Sequence, residues 1–215
     1  MSTYKTCPNC DKKLDGFMTS RYIIKDTSTE FINTQTGKDI EAYCNDCALP
    51  LVATIRDSIE KQKSKLTDTI KARISLIPIL TQNSPNAWEY EPIGIVSAQS
   101  VGGTGFMSDL SASWNDLFGT QSNTMGNKVK QGEDICKDRL RLNCLNLGGN
   151  AIIATDIDYS EVGAGKGMLM VCMAGTAIQV NRWSSNFNEK VEDLVVLTDA
   201  SRKLNSLNAI VFPDL

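Results

Sequence analysis

The stretch Leu147–Val180, LGGNAIIATDIDYSEVGAGKGMLMVCMAGTAIQV, constrains the fold more than any other part of the chain. Ala151–Tyr159 is rich in β-branched and aromatic residues: Ile152, Ile153, Thr155, Ile157 and Tyr159. Gly163, Gly165 and Gly167 then mark a turn, and Met168–Val180 reads as the return strand. A half-solvated hairpin keeps one alternate set of side chains polar. Here Ile153 and Ile157 alternate with Ile152 and Ala154, while Leu169, Val171 and Met173 alternate with Met170, Cys172 and Ala174. Both faces are apolar near the centre, so both need a cover. At about 25 cal/mol per Å2, an open face of this size forfeits several kcal/mol and invites aggregation.

One cover lies just upstream. Asn127–Leu147 spaces Val129, Ile135, Leu140, Leu142, Cys144 and Leu147 as an amphipathic helix does, and stops at Gly148–Gly149. The second cover must come from elsewhere in the chain or from another copy, which is the first indication of an oligomer.

A different chemistry opens the chain. Cys7-Pro-Asn-Cys10 and Cys44-Asn-Asp-Cys47 are two CxxC pairs with 33 residues between them. Each pair presents two thiolates from one tight turn, and four thiolates suit a tetrahedral Zn2+ with no position left open for water. Residues 1–48 are therefore expected to form a closed, structural four-cysteine zinc ribbon, because the segment is too small for a core of its own. A redox CxxC switch and a catalytic zinc are the alternatives. Arg21–Lys25 and Glu30–Ile32 read as short strands, with Gly37 as a turn between Ile32 and Ile40. Lys5, Lys12, Lys13, Arg21, Lys25 and Lys38 are offset by Asp11, Asp15, Asp26, Glu30, Asp39, Glu41 and Asp46. No basic face is available for phosphates, so a protein partner or a spacer role suits the module better than nucleic acid.

Residues 49–76 read as a connector helix that Pro50 can open. Val52, Ile55, Ile59, Leu66, Ile70 and Ile74 form a narrow apolar stripe among charged residues. The stripe either packs on its own domain or forms a short coiled coil between copies, although Gln62 interrupts that seam. In the main domain, residues 77–182, Tyr90–Val101 reads as a strand and Phe106–Phe118 as a short helix. Gly102, Gly103 and Gly105 lie between them without the signature of a phosphate cradle. In the tail, residues 183–215, Asn188–Leu197 and Ser201–Leu207 are weakly helical and Ala209–Phe212 is apolar. The tail either covers the remaining face of the sheet or reaches a neighbouring subunit.

The formal net charge of −3 gives no electrostatic case for nucleic acid or an anionic membrane as partner. MSTYKTCPNC lacks the apolar core of a signal peptide, and no apolar run is long enough to span a bilayer. Seven cysteines without an export signal favour a reducing compartment, so a cytoplasmic protein is expected. The chain has no histidine, which excludes Ser-His-Asp triads, Cys-His dyads and His-ligated catalytic metals within one chain.

Residues 88–182 resemble the YbjQ family, whose name refers to heavy-metal binding. The matching positions are Gly94, Ile95 and Val96; Asp109, Asp116, Gly119 and Ser122; Leu147, Gly148, Asn150 and Ala151; Asp156-Ile-Asp-Tyr159; Val162-Gly163; Met168-Leu-Met-Val171; and Gly175-Thr-Ala177. The resemblance implies a small, dodecin-like α+β subunit that assembles as a ring, typically a pentamer, with strands shared between neighbours. The expected fold class is thus α+β: a small antiparallel or mixed sheet with an amphipathic helix, preceded by the N-terminal zinc ribbon. Cys136 and Cys144 stand where the family usually has alanine and read as small core residues, as does Cys172 in mid-strand. Asn115, Gln121 and Glu133 stand where the family often carries arginine, and Met125 where tyrosine is frequent. An anion site built from those positions in relatives would be lost or altered here.

Asp156 and Asp158 lie two apart on one strand and share a face. They could chelate Mg2+, or they could form a solvent-facing edge that discourages strand pairing. The reading that joins these features is a non-enzymatic, zinc-containing homo-oligomer that displays its ribbons to a protein partner. A rival places a small anionic or metal ligand in the subunit clefts, held by Asp109, Asp116, Ser122, Asp156 and Asp158. A third uses the same carboxylates with Mg2+ to hydrolyse a phosphoester.

Overall fold

The computed structural model describes residues 4–14, 20–102, 125–162 and 168–215, so the helix expected at Phe106–Phe118 and the glycine turn expected at 163–167 lie outside the described residues. The chain divides into two compact units, Met1–Lys65 with Leu204–Leu215, and Leu66–Lys203.

The first unit opens with a tight turn closed by a bridge between Thr6 and Lys13. Helix α1, Asp26–Thr36, follows and ends at Gly37, whose left-handed φ of 67° lets its N–H return to the Asn33 carbonyl. The strand expected at Glu30–Ile32 is therefore helix. Thr27, Thr29, Ile32, Thr34 and Thr36 bias the local sequence toward extended backbone, but Ile32 is completely buried from a helical position, and burial outweighs propensity. The strand expected at Arg21–Lys25 reduces to a single bridge from Ile23 to Cys44. Helix α2, Asn45–Arg73, begins five residues before Pro50, so proline lies inside the helix and does not open it. An apolar cluster of Ile24, Ile32, Tyr43, Ala48 and Val52 fills this unit. Phe212 and Leu215 pack against that cluster, so the end of the tail covers the N-terminal module and not a face of the sheet.

The second unit is α+β. Strands β1 (Glu89–Gly102), β2 (Ala151–Val162) and β3 (Met168–Arg182) form an antiparallel sheet in the order β1-β3-β2. Helix α3, Met125–Asn146, lies on one face. Cys136, Leu140 and Cys144 of α3 are fully buried, and Val96 and Ala98 of β1 and Val171 and Met173 of β3 are buried with them. A last helix, α4 (Asn188–Asn208), runs without a break through the residues between the two weakly helical segments.

A bulge reorganises the hairpin. Ile153 pairs with Thr176 and Asp156 with Ala174, so Ala154 and Thr155 together oppose Gly175. Ala154 takes a left-handed φ of 51° there. A Cβ on Gly175 would come within 2.8 Å of Ile152 Cγ2 and 2.9 Å of Thr155 Oγ1, so only glycine fits. The simple alternation read from the sequence breaks at this point. Ile152 and Ile157 face α3, whereas Ile153 shares the other face with Asp156 and Asp158.

Among the described residues, that other face is covered along only part of its length. Near Ile153, Ile178 and Val180 it packs on Trp88, Tyr90 and Trp183. Trp88 meets Trp183 edge-on at 4.8 Å, Phe187 stacks on Trp183 at 5.1 Å, and Trp88 Nε1 donates to Ser184 Oγ. So part of the second cover comes from elsewhere in the chain. On β1, across Thr176 from Ile153, Ile95 is 83% exposed, and Ser97, Gln99 and Ala174 beyond it are exposed too.

Candidate metal centre

Four cysteines from two short segments, 7–10 and 44–47, meet in the first unit. The Cys7 N–H bonds to the Lys12 carbonyl and the Asp11 N–H to the Cys7 carbonyl, with Asp11 at a left-handed φ of 57°. This turn presents Cys7 and Cys10. On the other side, the Ile24 N–H bonds to the Tyr43 carbonyl and the Asn45 N–H to the Tyr22 carbonyl, which fixes Cys44 at the entry to α2. The N–H groups of Cys47 and Ala48 then return to the Cys44 carbonyl, so Cys47 lies in the first helical turn.

The sulfur atoms converge as a metal would require. Cys7 Sγ lies 3.6 Å from Cys47 Sγ, Cys10 Sγ 3.7 Å from Cys44 Sγ, and Cys44 Sγ 3.5 Å from Cys47 Sγ. All four lie within 4.8 Å of one another. A tetrahedron with metal–sulfur bonds of about 2.3 Å has sulfur–sulfur edges of about 3.8 Å. None of the four is in a disulfide. Cys7 and Cys44 are buried, and the Cys44 N–H donates to Cys7 Sγ at 3.2 Å.

Burial would raise the Cys7 thiol, but backbone N–H groups of Asn9, Cys10 and Cys44 stabilise its thiolate and bring it down to about 7. Burial raises Cys44 and Cys47. The Lys12 backbone favours the Cys10 thiolate, yet burial and the neighbouring thiols of Cys7 and Cys44 push it up. Backbone N–H groups thus favour the Cys7 thiolate, while burial is the main cause that holds Cys44 and Cys47 up. Cys7, Cys10, Cys44 and Cys47 could together hold a metal ion.

The other candidates fare differently. Asp109, Asp116 and Ser122 lie outside the described residues. Asp156 and Asp158 are exposed on the partly open sheet face, and Asp158 Oδ1 accepts the Tyr159 N–H at 2.9 Å. Among the described residues, the four cysteines are the one group of three or more Cys, Asp or Glu close enough to share an ion. Cys136 and Cys144 are core residues whose thiols donate to the carbonyls of Val171 and Ala151, and burial pushes them up to about 11 and about 12. Glu133 accepts the Tyr159 hydroxyl at 2.8 Å and pairs with Lys137 at 3.1 Å. The tyrosine hydroxyl, and then the ammonium, hold its carboxylate below the usual range.

The profile of the YbjQ family, described as "Putative heavy-metal-binding", matches residues 77–181. A UPF0145 protein of Clostridium botulinum (strain Eklund 17B / Type B) is 33% identical over 93 residues, which span 43% of this chain and 86% of that protein. The chain belongs to the YbjQ family. A second UPF0145 protein, from C. botulinum strain Alaska E43 / Type E3, is 32% identical over the same shares of the two chains. The crystal structure of a protein of unknown function of the DUF74 family, from Pediococcus pentosaceus ATCC 25745, is 23% identical with a TM-score of 0.34. It covers 49% of this chain and 98% of its own. The YbjQ segment does not contain Cys7, Cys10, Cys44 or Cys47, so the four-thiol cluster lies outside the part of the chain that the family description concerns. Among the described residues, no helix is long and apolar enough to cross a membrane.

The spacing of the two CxxC pairs anticipated the convergence of Cys7, Cys10, Cys44 and Cys47. Sequence reasoning missed the aromatic group of Trp88, Trp183 and Phe187, because these residues are far apart in the chain and meet only when β1 and β3 pair.

Proposed function

We propose that this protein is a non-enzymatic, zinc-containing homo-oligomer whose YbjQ segments form a ring, typically a pentamer, and display the four-cysteine modules to a protein partner. The observation that carries the reading is the convergence of four Sγ atoms within 4.8 Å. Four thiolates favour Zn2+ over harder ions, and a site closed by protein ligands keeps no position for water or substrate, which assigns the metal a structural role. The metal would tie the turn of residues 7–10 to that of residues 44–47, and its binding energy would be folding energy. Assembly is supported by the sheet face opposite α3, where Ile95 in the middle of β1 presents most of its surface to solvent. Seven free thiols suit a reducing compartment, the cytoplasm.

Native mass spectrometry with metal analysis tests both halves together. One zinc per chain in a ring of defined subunit number is the expected result. A metal-free chain that is fully folded over residues 4–65 would overturn the zinc assignment, and a monomer at micromolar concentration would overturn the ring.

A further inference from the structure

The last residues of the chain occupy the first unit as a ligand occupies a site. Phe212 and Leu215, three positions apart, seat themselves on the cluster of Ile24, Ile32, Tyr43, Ala48 and Val52. The Phe212 ring lies 5.6 Å from the Phe31 ring of α1, and the Arg56 guanidinium of α2 sits 4.5 Å from its centroid. Ser28 Oγ donates to the Asp214 carbonyl at 3.4 Å. Among the described residues, no backbone-to-backbone hydrogen bond ties 211–215 to its surroundings. The segment lies on the unit and does not complete its interior: none of residues 209–215 is buried, and Val211 is 83% exposed.

We infer that the surface between α1 and the first turns of α2 is a docking groove for an extended segment of a partner protein that carries an aromatic residue and a leucine three positions later, and that Phe212–Leu215 fills this groove in cis until such a partner displaces it. Recognition here rests on two apolar anchors and one cation over a ring, all of them side-chain features that another chain can reproduce. A ligand held by so few contacts is weak on its own, but tethering presents it at an effective concentration on the order of millimolar. The groove is therefore closed in the isolated chain and still open to competition.

The probe is a fluorescently labelled peptide of residues 209–215, titrated by anisotropy into the full-length chain and into full-length Phe212→Ala/Leu215→Ala, which empties the groove. The emptied chain is expected to bind one peptide per chain about tenfold tighter than the wild type. The peptide carrying Phe212→Ala should lose that binding, and adding Arg56→Ala to the emptied chain should weaken it several-fold. Equal affinity for both chains, or indifference to the peptide's phenylalanine, overturns the proposal. If the emptied chain does not fold, limited proteolysis of the wild type decides. Excess peptide should speed cleavage within 209–215 while α1 stays intact, and an unchanged cleavage rate there overturns the proposal equally.

Discussion

Two kinds of cysteine share this chain, and their surroundings assign them opposite chemistry. Cys10→Ser removes one of four thiolates and should reduce bound zinc well below one per chain in metal analysis. Exchange protection over residues 4–65 should be lost while residues 66–203 remain folded. Cys144 has the reverse character: fully buried, its thiol donates to the Ala151 carbonyl and is held neutral. Burial raises it from the ordinary 9.0 to about 12, so the folded state binds the proton more tightly than the unfolded chain. That contribution to stability is complete below about pH 9 and is lost as pH rises toward 12. Cys144→Ala should cost about 1 kcal/mol at neutral pH by chemical denaturation. It should also flatten the fall of the unfolding midpoint between pH 9 and 12 relative to wild type. Both arrangements were legible in the sequence, since paired CxxC turns bring thiols together and a lone cysteine in an amphipathic pattern marks a core. The Phe212 contacts were not legible, because nothing in an apolar tail says which distant surface will receive it.

At the level of elements, the bulge opposite Gly175 sets which side chains of β2 reach α3. Gly175→Ala would drive a methyl into Ile152 and Thr155, and should destabilise the second unit by about 1–3 kcal/mol in denaturant melts. The two strands of the hairpin and the helix before them followed from period and glycine placement, and α3 stands within two residues of its expected start. The bulge escaped detection because Ile152 and Ile153 are both apolar, and an extra residue between two greasy positions leaves the pattern unchanged. Helix α1 escaped for a related reason: its threonines favour a strand locally, and only the cysteine framework and the buried Ile32 make it a helix. Because Cys47 packs against the same cluster that Phe212 and Leu215 cover, chelation should loosen the tail as well as the ligand turns. Limited proteolysis after EDTA should cut within 209–215 faster than in the untreated protein.

For the molecule as a whole, assembly is the consequence to test. Ile95→Asp places a charge on the exposed part of the sheet face away from α3, so it should lower the subunit number by native mass spectrometry while leaving circular dichroism unchanged. Unaltered mass would point to a different contact surface. Where further copies could attach is already narrowed by α3. Asn143 Nδ2 donates to the Ser97 carbonyl at 3.0 Å, and the Arg139 guanidinium takes the carbonyl of Gln99. Both carbonyls belong to β1, which ends the sheet on that side. A passing strand that tried to zip onto this border would have to evict an amide and a guanidinium before gaining its first ladder bond. The helix thus acts as a selvedge, guarding the fabric of the sheet against unlimited growth in one direction.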